Sequence, residues 1–151
     1  MRRYELTLIA TLLSEGPSVC LDKPISIHEY LAPFYAMNPL QESFFVVCLN
    51  RRNFAIGAHR ISLGSLVSTI ASPREVFRIA LLEGGTAAIV VGHNHPSGFA
   101  DPSSADIMIT RGLRDASKVL DIELLDHVIS GEPSDAPNGR AYYSFREAGL
   151  L

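Results

Sequence analysis

Residues 86–95 read Thr86-Ala87-Ala88-Ile89-Val90-Val91-Gly92-His93-Asn94-His95, and Pro96-Ser97-Gly98 follow at once. A short unbroken apolar run that ends at a glycine and a turn is the pattern of a central strand covered on both faces. Residues 86–92 are assigned to such a strand and 93–102 to the loop that leaves it. Alternate residues of an extended chain point the same way, so His93 and His95 aim at one point beyond the strand end. Helical geometry would set them on nearly opposite sides. Pro96 stiffens the exit. Two convergent imidazoles make half a zinc site, which wants ligand atoms about 2.0–2.2 Å from the metal.

Working outward, Ala105, Ile109, Leu113, Ala116 and Leu120 keep helical spacing, which predicts an amphipathic helix over 104–120. Residues 122–130 read as the next strand, 131–140 as a loop, 141–145 as a short strand and 146–150 as a terminal helical turn. Upstream, Ser72-Pro73-Arg74-Glu75 combines a cap, a proline at the first helical position and a capping-box acid. The helix it opens places Val76, Phe77, Ala80 and Leu81 on one face and stops at Gly84-Gly85. Residues 42–49 and 54–63 are rich in strand formers and are joined by the hairpin connection Asn50-Arg51-Arg52-Asn53. Residues 25–37 read as a helix capped by Ser26 and kinked or interrupted at Pro33. Tyr4, Leu6, Leu8, Ala10 and Leu12 alternate, predicting a strand near 3–12, with a polar loop at 14–17. Strands alternating with helices around a central hairpin predict one α/β domain with a mixed sheet flanked by helices.

The chain has 151 residues, 47% of them hydrophobic and 19% charged, with a formal net charge of −3. This composition excludes a disordered chain and disfavours strong non-specific binding to a phosphate backbone. Cys20 and Cys48 form no Cys-x-x-Cys pair, so a disulfide framework is not expected and a reducing cytoplasm fits. Glu5 interrupts the apolar N-terminal stretch, which argues against a signal peptide. No apolar run approaches the ~18 residues of a membrane span.

A third ligand must come from chain that can fold back onto the histidines. Asp106, eleven residues after His95 and in the first turn of the 104–120 helix, is such a residue. Two histidines, an aspartate and water would make a four-coordinate catalytic zinc with an open position. Ser103-x-x-Asp106 is also a capping arrangement, with the acid favoured by the helix dipole.

The string His93-x-His95-x7-Ser103-x2-Asp106 matches the pattern of JAMM (MPN/JAB) metalloproteases. Together with Asn94, Pro96-Ser97-Gly98, Pro102, Leu125-Asp126-His127 and Pro73-Arg-Glu-Val-Phe-Arg78, it resembles the RadC family, a bacterial branch of that superfamily, over about residues 20–151. The resemblance implies a JAMM/MPN-like fold with cytidine-deaminase-like layering. It implies one zinc ion on His93, His95 and Asp106, with Glu42 as the upstream glutamate that acts as general base. Glu75 is a competing acid already explained by its cap. Ser103 would donate to the developing oxyanion, beside its simpler role as a helix cap. Asp126 and His127 would either orient a ligand histidine or serve structure alone; His28 and His59 read as structural or surface residues.

What the resemblance implies for function is a zinc-dependent hydrolase of amide or isopeptide bonds, acting on a peptide or protein substrate. The alternative is a metal-binding accessory protein in DNA repair or mobile-element DNA transactions without peptidase turnover. Longer members carry an N-terminal helix-hairpin-helix region, for which 151 residues leave no room beside this domain. The contiguous His-Asn-His is not the dispersed motif of HNH nucleases, and the net negative charge gives a nuclease little with which to hold DNA.

Overall fold

The computed structural model describes residues 18–64, 71–132 and 140–151. The strand expected near 3–12, the loop at 14–17 and most of the 131–140 loop lie outside the described residues. In chain order the elements are α1 (Pro24–Ala36), β1 (Glu42–Leu49), β2 (Ala55–Gly64), α2 (Pro73–Leu82), β3 (Ala88–Asn94), α3 (Ser104–Leu120), β4 (Glu123–Ser130) and β5 (Tyr142–Ser144). The strands form one sheet in the order β2-β1-β3-β4-β5. β3 and β4 are parallel, joined through α3; the other neighbours are antiparallel, so the sheet is mixed as expected.

Two apolar layers hold the sheet. On one face Ile27, Leu31 and Tyr35 of α1 pack onto Phe45, Val47, Leu49, Val90 and Val128. On the other, Val76, Phe77 and Ala80 of α2 and Ile109 and Leu113 of α3 pack onto Phe44, Val46, Cys48, Ile89, Val91 and Leu124. β3 is buried along its whole length, which is why its sequence shows no alternation. Gly92 lets α1 sit close, since a Cβ there would stand 2.6 Å from Leu31 Cδ1.

Several boundaries move for identifiable reasons. β3 runs through His93 and Asn94 rather than ending at Gly92, because His93 still pairs with Phe44 on β1 and Ile129 on β4. α1 starts at Pro24, whose missing N–H costs nothing at the first position; Lys23 is the N-cap and Ser26 lies inside the helix. The helix continues through Pro33, which sits on its exposed side, while Ile27, Leu31 and Tyr35 hold it down on both flanks. Leu81 is 60% exposed and lies off the buried face of α2, which Val76, Phe77 and Ala80 define. The capping box of Ser72 and Glu75 is formed as expected.

One irregularity decides a side-chain direction. Ile89 pairs with Leu124 but Val90 pairs with Asp126, so Leu125 is an extra residue in β4. This bulge shifts the alternation by one. Leu124 and His127, three apart, consequently face the same side of the sheet as Val91 and His93.

Candidate metal centre

Three elements end at one place: the C-terminal tip of β3, the loop after it and the first turn of α3. Asp106 accepts at Oδ2 from the backbone N–H of Ser103 (2.7 Å) and from its hydroxyl (2.6 Å), while Ser103 Oγ accepts from the Asp106 N–H at 3.2 Å. The capping box therefore fixes the carboxylate at the helix N-terminus, where the helix dipole favours its charge. Across from it, His93 Nε2 lies 3.2 Å from Asp106 Oδ1, His95 Nε2 lies 3.6 Å from Oδ2, and the two Nε2 atoms are 3.0 Å apart. The sequence pattern named these three residues, and the fold brings them together.

The loop between the histidines and the helix is built for this. The His95 N–H donates to the Ser130 carbonyl, extending the β3–β4 ladder by one residue. Gly98 adopts φ +85°, a conformation glycine reaches without strain. Its carbonyl accepts from Glu132 N–H across Gly131, where a Cβ would stand only 2.2 Å from that oxygen. The loop then places the Phe99 carbonyl 2.7 Å from His95 Nδ1. A carbonyl only accepts, so Nδ1 carries a proton, and in the neutral ring Nε2 is the bare nitrogen that faces the site.

His93 is fully buried and stacks on Phe44; its Nδ1 meets His127 Nε2 at 2.9 Å. His127, also fully buried, lies against the ring of Phe145 (4.8 Å, 9° between planes) and reaches Thr110 Oγ1 with Nδ1 at 2.6 Å. Burial pushes His127 well below the ordinary imidazole value, so it is neutral. Its neighbour Asp126 faces elsewhere, accepting from Ser144 Oγ and the N–H groups of His127 and Arg146; it ties β4 to the chain after β5.

The electrostatics suit a cation. Burial opposes the charge of Asp106, yet the close contacts with His93 and His95 and the bond from Ser103 outweigh it and hold the carboxyl far below its usual range. Burial likewise lowers His95, but the hydrogen bond and charge of Asp106 win and raise it, with Glu42 adding in the same direction. Two ring nitrogens and a carboxylate thus converge on one point. In tetrahedral coordination with ligand bonds of about 2.0–2.1 Å, ligand atoms stand about 3.3–3.4 Å apart. The observed 3.0, 3.2 and 3.6 Å bracket that edge. His93, His95 and Asp106 are the group of metal-capable side chains found among the described residues.

Glu42 begins β1, beside the tip of β3, close enough for its charge to act on His95. Its setting depends on the middle residue of His-Asn-His. Asn94 Oδ1 accepts from Ser43 N–H at 2.8 Å and Nδ2 donates to the Gln41 carbonyl at 3.1 Å, clamping the backbone on both sides of Glu42. Glu75, the competing acid, is held in its capping box. Ser103 donates its hydroxyl proton to Asp106, the capping role that the sequence allowed. His59 pairs with Glu83 at 2.9 Å, away from the triad. His28 lines a cavity of about 390 Å³ whose wall includes Tyr35, Asn94, His95, Ser130 and Glu132. Thr110 and the Phe99 carbonyl carried no sequence signal, and Asn94 only its place in the family string, because their partners are set by the fold.

The RadC-like JAB domain family matches residues 21–150, which contain every residue of this site. This chain belongs to that family. Among curated relatives, a UPF0758 protein of Chlorobium luteolum is 45% identical over 111 residues, covering 74% of this chain and 46% of the relative. UPF0758 protein STH371 of Symbiobacterium thermophilum is 41% identical over 133 residues, covering 88% and 53%. UPF0758 protein Mbar_A2303 of Methanosarcina barkeri is 40% identical over 148 residues, covering 98% and 61%. The chain therefore spans about half the length of the curated relatives it matches. The RadC-like JAB fold seen here is an α/β sheet flanked by three helices. Among the described residues no helix is long and apolar enough to cross a membrane.

Proposed function

We propose that this RadC-like JAB domain is a zinc-dependent hydrolase of amide or isopeptide bonds, with one zinc ion held by His93, His95 and Asp106. The observation that carries the reading is the meeting of two imidazole nitrogens and a carboxylate at 3.0–3.6 Å. Two nitrogens and one oxygen suit zinc, and three protein ligands leave a coordination position for water or substrate. When bound, the ion supplies Lewis acidity to polarise a carbonyl and makes water acidic enough to lose a proton near neutral pH.

The chain's own residues do the rest. Glu42 takes a proton from the attacking water and returns it to the leaving amine, which is why a carboxylate is needed and an amide will not serve. Asn94 keeps Glu42 in place by gripping the residues on either side. Ser103 orients Asp106; its hydroxyl serves a developing oxyanion only by turning away from that carboxylate. His93 is fully buried while the His95 side chain is 17% exposed, so substrate approaches from the His95 side. The cavity that shares His95 as a wall offers room for a substrate side chain beside the scissile bond.

The test is zinc content together with cleavage of a peptide library by wild type and by Glu42→Gln. Wild type is expected to hold one equivalent of zinc and to cleave. Glu42→Gln should keep the zinc and lose turnover by about 10²–10⁴-fold. Undiminished cleavage by the variant would overturn the role of Glu42. Full zinc with no cleavage of any amide or isopeptide substrate would favour a metal-binding accessory role, which a salt-dependent shift of DNA would then support.

A further inference from the structure

We propose that Thr110 and His127 are positioning residues that hold the proton of His93 on Nδ1, leaving Nε2 as the bare nitrogen at the metal position. This rests on the metal-site reading above and extends it to two residues which that reading does not use.

The argument is an accounting of hydrogens. Thr110 Oγ1 stands 2.5 Å from the carbonyl oxygen of Asp106, one helical turn earlier. A carbonyl has no hydrogen to give, so an O···O contact this close requires the threonine hydroxyl to donate there. That uses the only proton of the hydroxyl. The second close neighbour of Thr110 Oγ1, His127 Nδ1 at 2.6 Å, must therefore be the donor in its own bond. His127 lies fully buried with Phe44 and Phe145 against its ring, an apolar slot that disfavours an imidazolium. A neutral ring with its hydrogen on Nδ1 is bare at Nε2. Nε2 meets His93 Nδ1 at 2.9 Å, so His93 must donate there. His93 is then bare at Nε2, the atom 3.2 Å from Asp106 Oδ1 and 3.0 Å from His95 Nε2.

The two candidate ligand histidines are thus fixed by different means. His95 faces a backbone carbonyl, an acceptor under all conditions, and needs nothing further. His93 faces another imidazole, which can give or take a proton at either nitrogen. The direction of that bond is undecided until Thr110 decides it. The chain of bonds also closes on itself: it starts at the Asp106 backbone and ends beside the Asp106 carboxylate, so the first turn of α3 sets both a ligand and the tautomer of its neighbour. Partners of this kind raise metal affinity by orienting the ligand rather than by touching the ion.

Two readouts test this independently of turnover. The first is ¹⁵N NMR of the histidine rings in metal-free protein, which reports the tautomer whether or not the chain binds zinc. Wild-type His93 is expected to carry its proton on Nδ1. Thr110→Val keeps the shape and removes the acceptor for His127 Nδ1–H; the His127 proton should move to Nε2 and that of His93 to its own Nε2. The second readout is zinc affinity by chelator competition, expected to fall about ten- to a hundred-fold in Thr110→Val. Thr110→Ser, which restores the hydroxyl, should recover both. The relay is overturned if wild-type His93 carries its proton on Nε2, or if Thr110→Val leaves that proton where it was, with or without a change in zinc affinity. If wild type takes up no zinc, the metal-site reading fails, and the tautomer measurement still decides the relay.

Discussion

α3 packs along one face of the sheet, and the two halves of that contact are chemically opposite. Toward its middle, Ile109 and Leu113 lie in an all-apolar layer with Ile89, Val91 and Leu124. On the adjoining stripe of the same helix, Asp106, three residues before Ile109, and Thr110, three before Leu113, face His93 and His127, all buried. The apolar half is held by removal of surface from water, about 1.5–3 kcal/mol for each fully buried large side chain. The polar half has no such source of stability. Desolvating an imidazole or carboxylate costs free energy that its hydrogen bonds do little more than offset. Those bonds are nearly complete, with His93, His95, His127, Thr110 and Asp106 all partnered. Under the proposed function these groups act in metal binding, so the two halves should answer to mutation differently, one in stability and the other in zinc affinity.

The sharpest break is Asp106→Ala. It removes one of three proposed ligands and leaves two imidazoles, and zinc affinity is expected to fall at least about a thousand-fold, with metal content of the purified protein near zero. The fold should survive, because what is lost structurally is one half of a capping box, about 1 kcal/mol. Metal content together with thermal unfolding checks both; an unchanged zinc stoichiometry would remove Asp106 from the ligand set. The converse is Leu113→Ala. Leu113 is fully buried in the apolar half, so truncation should cost about 2–5 kcal/mol of stability, measured by denaturant unfolding. The folded fraction should still hold a full equivalent of zinc. If Leu113→Ala lost zinc while folded, the two halves would be one unit and the comparison would fail.

This division also explains what could be read from the sequence. The apolar half was legible as spacing: Ile109 and Leu113 repeat at helical period, and the unbroken run 86–92 marked the covered strand. The triad was legible because His93, His95, Ser103 and Asp106 lie within fourteen residues in a pattern that a known family shares. Thr110 was not, since a threonine inside a helix looks unremarkable until a partner from another strand reaches it. His127 could not be assigned to a face, because strict alternation from Leu124 puts it on the wrong side and only the bulge at Leu125 turns it round. Ser26 resembled a cap in a stretch where Pro24 had already started the helix. Asn94 was legible only as part of the family string, not as a clamp, its partners Gln41 and Ser43 being far away in the chain.

Asn94 gives the finest test, because it belongs to neither half of the α3 contact. It points to the opposite face of β3 from His93, into the cavity under α1 that Tyr35, His28 and His95 also line. If the working parts of the site were confined to the α3 face, Asn94→Ala would matter only to stability, since it leaves Ser43 N–H and the Gln41 carbonyl without their partner. The clamp predicts more. Freed on both sides, the backbone at Glu42 should relax by a fraction of an ångström, enough to spoil proton transfer without touching a ligand. Zinc affinity should stay within about two-fold of wild type while kcat falls about ten- to a hundred-fold, less than in Glu42→Gln. The double variant Asn94→Ala/Glu42→Gln should be no slower than Glu42→Gln alone, because the clamp acts only through that carboxylate. Additive losses would mean that Asn94 acts on substrate directly, through the cavity it lines.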